Sequence, residues 1–177
     1  MAKNFWMVVQ RPEDFEITRD LGFTVHGMKG RQRRRAQRME PDDNILFYVS
    51  GIKKWTAIAI ITSRYYEDPT PIWNPADRGR EVYPYRVKLR PQIVMAEDLY
   101  IDALALAPRL DYLKRWPAER WPLAFMDTLH LLPQKDFRLI EAEMKRIHPE
   151  WRSRPRRRSR KRNRRRQPQP TNGASGP

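Results

Sequence analysis

The chain has 177 residues, 40% of them hydrophobic, which suits one folded domain with a sizeable core. It contains no cysteine, so disulfide bonds and thiolate metal sites are excluded, and we expect neither a metal nor a cofactor. No uncharged apolar run approaches the roughly 18 residues of a spanning helix, so no membrane association is expected. A cytoplasmic location is expected, with a nucleoid-associated or, in a eukaryote, a nuclear location as alternatives.

The net charge of +15 is concentrated near the C-terminus, where residues 152–166 hold 11 of the 36 basic residues and no acid. The preceding 151 residues keep 25 basic and 21 acidic residues, or +4. Since the end of the chain also lacks apolar clusters, we predict a domain at 1–150 and a disordered tail at 151–177. The tail favours a polyanionic partner, with a solubilising or localising role as the alternative. The tail residues expected to contact a polyanion are Arg156, Arg157, Arg158, Arg160, Lys161, Arg162, Arg164, Arg165 and Arg166.

The first elements in chain order are a strand, a loop and a basic helix. Residues 5–9 are apolar on both faces, which predicts a buried strand, and residues 12–15 open a loop or a short helical turn. A glycine-bracketed loop at 26–30 then leads into a helix at 31–39. Cations at a helix start suggest a bound phosphate, because the backbone there already favours anions. The alternative is a solvated helix whose cations pair with Glu40, Asp42 or Asp43. The phosphate candidates are His26, Gly27, Lys29, Gly30, Arg31 and Arg34.

Alternating strands and a last helix follow. Strands are predicted at 45–50 and 55–62, with Trp55, Ala57, Ala59 and Ile61 on one face of the second. A proline-rich loop at 65–80 and a strand at 82–89 come next. Helices at 98–106 and 135–147 flank a short strand at 129–132. This order predicts an α+β fold, a small mixed β-barrel with peripheral helices.

Aromatic residues are interleaved with basic ones, which is typical of proteins that stack nucleobases. Trp6 and Trp73 are the preferred pocket residues, because Trp73 lies in a proline-stiffened loop that is ill suited to core filling. The alternative is that most of these rings are core residues. The aromatic pocket candidates are Trp6, Trp55, Tyr66, Trp73 and Tyr85.

The chain shows no catalytic signature. Its acidic pairs are adjacent or two apart in sequence, so none is presented together on a helix face, and His26 has no nucleophile beside it. We therefore expect a protein that is not an enzyme. Two rival hypotheses remain: an enzyme acting on modified nucleosides with His26 and Lys29 as an acid/base pair, and a protein-interaction scaffold whose tail alone binds nucleic acid.

Several motifs together carry a family likeness over about residues 3–148. They are Phe5-Trp6-Met7, Gly27-x-x-Gly30-Arg31, Pro41-x-Asp43-x-Ile45-Leu46-Phe47-Tyr48-x-Ser50-Gly51, the segment 66–73, Tyr83-Pro84-Tyr85-Arg86-Val87 and Leu123-Ala124-Phe125. The set resembles the EVE domain.

This resemblance implies a PUA-like β-barrel, related to YTH and ASCH domains, that holds a nucleic-acid base in an aromatic pocket. By position, Trp6, Ser50, Gly51 and Trp73 would border the pocket, and the segment 27–31 would lie on its rim near phosphates. Together with the residue patterns, it predicts a DNA- or RNA-binding module that recognises a modified base.

Overall fold

The computed structural model describes residues 2–75 and 82–153, so the predicted tail lies outside it apart from its first three residues. The prediction of tail disorder and the tail contacts therefore stay predictions. The strands are β1 (Phe5–Gln10), β2 (Val25–Met28), β3 (Asn44–Val49), β4 (Lys54–Ile61), β5 (Tyr66–Glu67), β6 (Tyr85–Val94), β7 (Ile101–Asp102) and β8 (Leu129–Leu131). The α-helices are α1 (Pro12–Asp20), α2 (Arg33–Ala36), α3 (Ala103–Leu106), α4 (Gln134–Ile147) and α5 (Pro149–Arg152).

The eight strands of the described residues form one curled sheet, a half-barrel with short helices around it. The strand order is β2-β6-β4-β3-β1-β8, with β5 beside β6 and β7 beside β4. The β1–β3 pair is parallel, and the other strand pairs are antiparallel. The prediction of an α+β fold built on a small mixed β-barrel is confirmed.

Both faces of β1 are buried, as its apolar sequence predicts. Phe5 and Met7 belong to a core between the sheet and α4, where Phe137 is fully buried. Trp6 and Val8 belong to a second core on the opposite face. Because a core covers each face of β1, neither face meets solvent, and its sequence shows no polar alternation.

A β-bulge in β4 overturns the predicted face of Trp55. Tyr48 pairs with Trp55 but Phe47 pairs with Ala57, so Thr56 is an extra residue that has no partner in β3. Such a bulge resets the alternation of side chains. Trp55 therefore packs in the α4-side core, whereas Ala57 and Ala59 pack in the opposite core.

The basic segment after β2 connects the two edge strands of the half-barrel. Gln32 donates to Thr128 Oγ1 at 2.6 Å, and Arg35 donates to the Leu129 carbonyl at 2.7 Å beside β8. The predicted loop at 26–30 is mostly strand β2, and the predicted helix at 31–39 is a 3-10 turn, Gly30–Gln32, followed by the four-residue α2. Gln32 and Arg35 therefore face the other strand edge.

Three other predicted elements differ from the structure. The expected helix at 98–106 divides into a 3-10 turn, β7 and the short α3, because β7 pairs with the start of β4. The segment after Pro12 extends into a full helix, and the strand expected at 82–89 starts after Pro84 and runs to Val94. In the part of the chain that the structure describes, no helix is long and apolar enough to cross a membrane.

Candidate functional site

The ends of β1 and β3 open into a cavity of about 470 Å³. Because these two strands are parallel, their carboxyl ends meet at the same edge of the sheet. Val9 and Gln10 at the end of β1 line the cavity together with Tyr48 near the end of β3. The remaining walls come from β2, from the start of α1, from the turn at 50–53, from the loop around Trp73, and from the segment 122–128.

A hydrogen bond and close packing hold Trp73 in this wall. It is 5% exposed, and its indole N–H donates to Thr18 Oγ1 at 2.9 Å, an oxygen that also accepts from the Gln10 amide at 2.8 Å. A Cβ placed on Gly27 would lie 2.5 Å from the Trp73 ring and 2.8 Å from Tyr83 Cβ. Position 27 must therefore be glycine for both aromatic side chains to occupy these positions.

Arg86 of β6 fastens the Trp73 loop to the sheet. Its guanidinium pairs with Asp68 at 3.0 Å, donates to the Tyr83 carbonyl at 3.2 Å and makes a short hydrogen bond to the Thr70 carbonyl. It also lies 5.5 Å from the centre of the Trp73 ring, within range of a cation–π contact. Arg86 is 1% exposed, so one buried cation ties three points of the loop to the sheet.

The end of the same loop is anchored to α1. The backbone N–H of Asn74 donates to Asp14 Oδ1 at 2.6 Å, while Arg11 donates to Asn74 Oδ1 at 2.8 Å. Asn74 has a φ of 61°, a left-handed conformation that asparagine tolerates better than most residues. The aromatic wall is therefore held from both the sheet and the first helix.

Two buried polar atoms of cavity-lining residues have no hydrogen-bond partner within the described ranges: Gln10 Oε1 and His26 Nδ1. Burial lowers the pKa of His26 to about 3, so its imidazole is neutral at physiological pH. Burial likewise raises the pKa of Tyr48 to about 12, so its hydroxyl keeps its proton. Gln10, His26 and Tyr48 therefore present neutral polar groups between aromatic walls, which suits an uncharged ring that can form hydrogen bonds.

Cations stand at the border of this neutral interior. Arg11, Lys29 and Lys53 all line the cavity. Arg11 is half exposed and pairs with Glu13, and Lys29 Nζ lies 5.8 Å from the centre of the Tyr83 ring. In residues 2–75 and 82–153, no three His, Cys, Asp or Glu side chains are grouped so as to hold a metal ion.

The structure brings some of the predicted pocket residues together and leaves others apart. Trp73, Ser50 and Gly51 line the cavity. Trp6 is buried on another part of β1, where its indole N–H donates to Asp43 at 3.0 Å. Trp55, Tyr66 and Tyr85 also lie away from the cavity: Trp55 contacts Met7 in the α4-side core, Tyr66 is in β5, and Tyr85 lies under Arg33.

The predicted rim divides in the same way. His26, Gly27 and Lys29 line the cavity, whereas Gly30, Arg31 and Arg34 do not. Under the alternative interpretation, the cations of the basic segment were expected to pair with Glu40, Asp42 or Asp43. Arg31 and Arg35 instead pair with Asp127, at 3.3 Å and 2.9 Å. At the start of this segment the Lys29 N–H donates to Gln32 Oε1 at 3.0 Å.

Sequence reasoning missed several cavity residues. Gln10 carries the clearest signal, since it is a polar residue that directly follows an apolar strand, but that signal needs the β1–β3 pairing to be interpreted. The other missed lining residues come from α1, the end of β3 and the turn after it, the residues after the proline-rich loop, and the segment before β8. They include Asp14, Tyr48, Lys53, Tyr83, Phe125, Met126 and Thr128.

Fold and cavity together define a half-barrel domain with a recessed aromatic site. The chain belongs to the EVE domain family, whose model matches residues 4–141. Among its curated relatives is a UPF0310 protein of Pyrococcus horikoshii, 29% identical over 147 residues, which are 77% of this chain and 96% of that protein.

Two solved structures have the same fold. The human THYN1 protein in complex with 5-methylcytosine-containing DNA matches with a TM-score of 0.54 and 18% identity, over 80% of this chain and 98% of that one. The YTH domain of the Zygosaccharomyces rouxii MRB1 protein, in complex with N6-methyladenosine RNA, matches with a TM-score of 0.56 and 16% identity. That match covers 82% of this chain and 89% of the YTH domain. The expected relationship to YTH domains is therefore confirmed at the level of the fold.

Proposed function

We propose that this protein is a nucleic-acid-binding module that holds a single base, and preferentially a modified one, in the cavity between Trp73 and the ends of β1 and β3. The observation that carries the proposal is the cavity itself, with aromatic walls, two buried unpartnered polar atoms and a cationic border. THYN1 and the YTH domain, which share the fold, were solved with methylated nucleic acids.

The size and chemistry of the cavity support a base as its occupant. Small-molecule sites span roughly 300–1,000 Å³ and combine apolar walls with a few polar groups that fix orientation. Gln10 Oε1 is an acceptor, so it suits an exocyclic amino group, and the neutral His26 Nδ1 suits a ring nitrogen or N–H. Aromatic stacking contributes about 1–3 kcal/mol per base, and a methyl group adds apolar surface to bury.

The electrostatics of His26 support binding without catalysis. An acid or base works best with a pKa near the operating pH, whereas burial lowers the pKa of His26 to about 3. The rival enzyme hypothesis assigned proton transfer to His26 and Lys29, and a neutral histidine that resists protonation serves that role poorly. The same histidine is well suited to a fixed hydrogen bond.

Titration with free nucleosides tests the proposal most directly, because nucleosides carry no phosphate and so bypass the basic tail. We expect 5-methylcytidine or N6-methyladenosine, measured by calorimetry, to bind more tightly than its unmodified parent. Gly27→Ala should abolish this binding, because the added Cβ would lie 2.5 Å from the Trp73 ring. Gly30→Ala is the matched control, since its Cβ would meet nothing within 4 Å. Equal binding by both variants would contradict the cavity assignment.

We further propose that the tail supplies affinity without specificity. Each phosphate neutralised on duplex DNA contributes about −0.9 to the slope of log affinity against log salt. A chain that ends at Trp151 should therefore show a shallower slope and weaker binding to all oligonucleotides, with its preference among bases preserved. Binding measured by fluorescence anisotropy over a salt series checks this. An unchanged slope would show that the tail makes no phosphate contacts.

A further inference from the structure

The mouth of the cavity carries an exposed methionine. Met126 lines the cavity, yet it is 75% exposed, more than any other large hydrophobic side chain in residues 2–75 and 82–153. A residue with both properties must stand at the opening. A single exposed apolar side chain is ordinary on a protein surface, but one that also lines a cavity is placed to contact whatever enters that cavity.

The segment around Met126 is firmly held. Trp121 and Phe125, which precede it, are 6% and 4% exposed, and the Phe125 ring lies 4.9 Å from that of Tyr48. Asp127, which follows it, accepts hydrogen bonds from Arg35 at 2.9 Å and from its neighbour Thr128 at 2.7 Å. Met126 is therefore presented on an anchored turn and does not depend on a loose loop for its position.

The depth of the cavity restricts how a base can enter. Trp73 and His26 are each at least nine-tenths buried, so a base can reach them only after leaving its stack. In a duplex, that movement leaves a gap between neighbouring base pairs. Proteins that deform duplexes often fill such gaps with an apolar wedge, and methionine is among the residues used.

The charges near Met126 are placed to hold a backbone. The Arg31 side chain is 65% exposed and contacts Asp127 at 3.3 Å, so it lies next to Met126. Phosphates on either side of an extruded nucleotide can therefore be contacted by Arg31 and by Lys53, at the border of the cavity.

We propose that Met126 is a wedge that enters the gap left by the extruded base, and that the preferred substrate is accordingly a duplex containing the recognised base. This inference rests on the proposed function. It adds the strandedness of the substrate and assigns a role to a residue outside the aromatic wall. In a single strand there is no opposing strand and no gap to fill, so Met126 contributes little there.

The experiment compares duplex with single strand for the full-length chain and two variants. The probe carries 5-methylcytosine or N6-methyladenine, whichever nucleoside binds more tightly, next to 2-aminopurine, whose fluorescence rises on unstacking. Wild type should favour the duplex and raise the fluorescence. Met126→Ala should lower the ratio of duplex to single-strand affinity by about tenfold or more and suppress the fluorescence rise. Leu104→Ala, a change at a 58% exposed leucine outside the cavity, should do neither.

Three results would overturn the proposal that Met126 is a wedge. They are an unchanged ratio in Met126→Ala, an equal loss on both substrates, and a wild type that prefers the single strand. Failure of the proposed function looks different, because wild type would then bind neither free nucleoside, whatever the strandedness of the oligonucleotide.

Discussion

Replacing Trp73 with leucine should weaken nucleoside binding by about 5- to 150-fold, as expected for the loss of about 1–3 kcal/mol of stacking. The substitution keeps an apolar side chain but removes the ring that forms the cavity wall. It also removes the indole N–H that donates to Thr18 at 2.9 Å and the π face beneath Arg86. Calorimetric titration with the preferred nucleoside measures the change.

Trp6→Leu is the matched control. Trp6 is as buried as Trp73 but lies outside the cavity, with its indole N–H bonded to Asp43 at 3.0 Å. Both variants should therefore lose thermal stability, while only Trp73→Leu should lose nucleoside affinity. Circular dichroism identifies a temperature at which both proteins are folded. A comparable loss of affinity in Trp6→Leu would show that the base lies beside Trp6 at the start of β1 and not in the cavity at its end.

Asp43→Asn should cause the largest loss of stability among single conservative changes, about 3 kcal/mol. The Asp43 carboxylate is 2% exposed and accepts from four donors: the Asn4 N–H and amide, the Trp6 indole and the Glu40 N–H. An amide replaces one acceptor oxygen with an NH₂ group, so at least one buried donor faces another donor. Thermal unfolding should shift down by roughly 6–12 °C.

Asp42→Asn makes the same chemical change at the adjacent, exposed position. Asp42 has a φ of 73°, which asparagine also tolerates, so little backbone strain is added. Its melting temperature should stay close to that of wild type. If the two variants melted together, the network around Asp43 would not be what fastens the start of β1 to the turn before β3.

The strands of this protein were more predictable than the positions of their side chains. The buried strand at 5–9, the strand at 45–50 and the helix at 135–147 were predicted from local patterns, and each matches an element of the structure. Trp55 was assigned to the wrong face, because a one-residue bulge depends on how β4 pairs with β3 and leaves no mark in the sequence of β4 alone.

The basic segment illustrates a second limit. Its charges predicted an anion site, yet Gln32 and Arg35 connect the edge strands through contacts with Asp127, Thr128 and Leu129. These residues are more than 90 positions apart in the chain. Local composition indicates what such a segment can bind. Which of its groups already have hydrogen-bond partners depends on β8 and the residues before it, which are distant in sequence.

The sequence by itself determined the family, the α+β class and the concentration of charge in the tail, because these follow from motifs and composition. Only the tertiary structure decided where the cavity is and that Gly27 and Trp73 line it. The cavity exists because β1 and β3 run parallel and end together, which brings Gln10 and Tyr48 beside Trp73 and Met126. The placement of Trp6 depends in the same way on Asp43, a partner 37 residues away that takes its indole N–H.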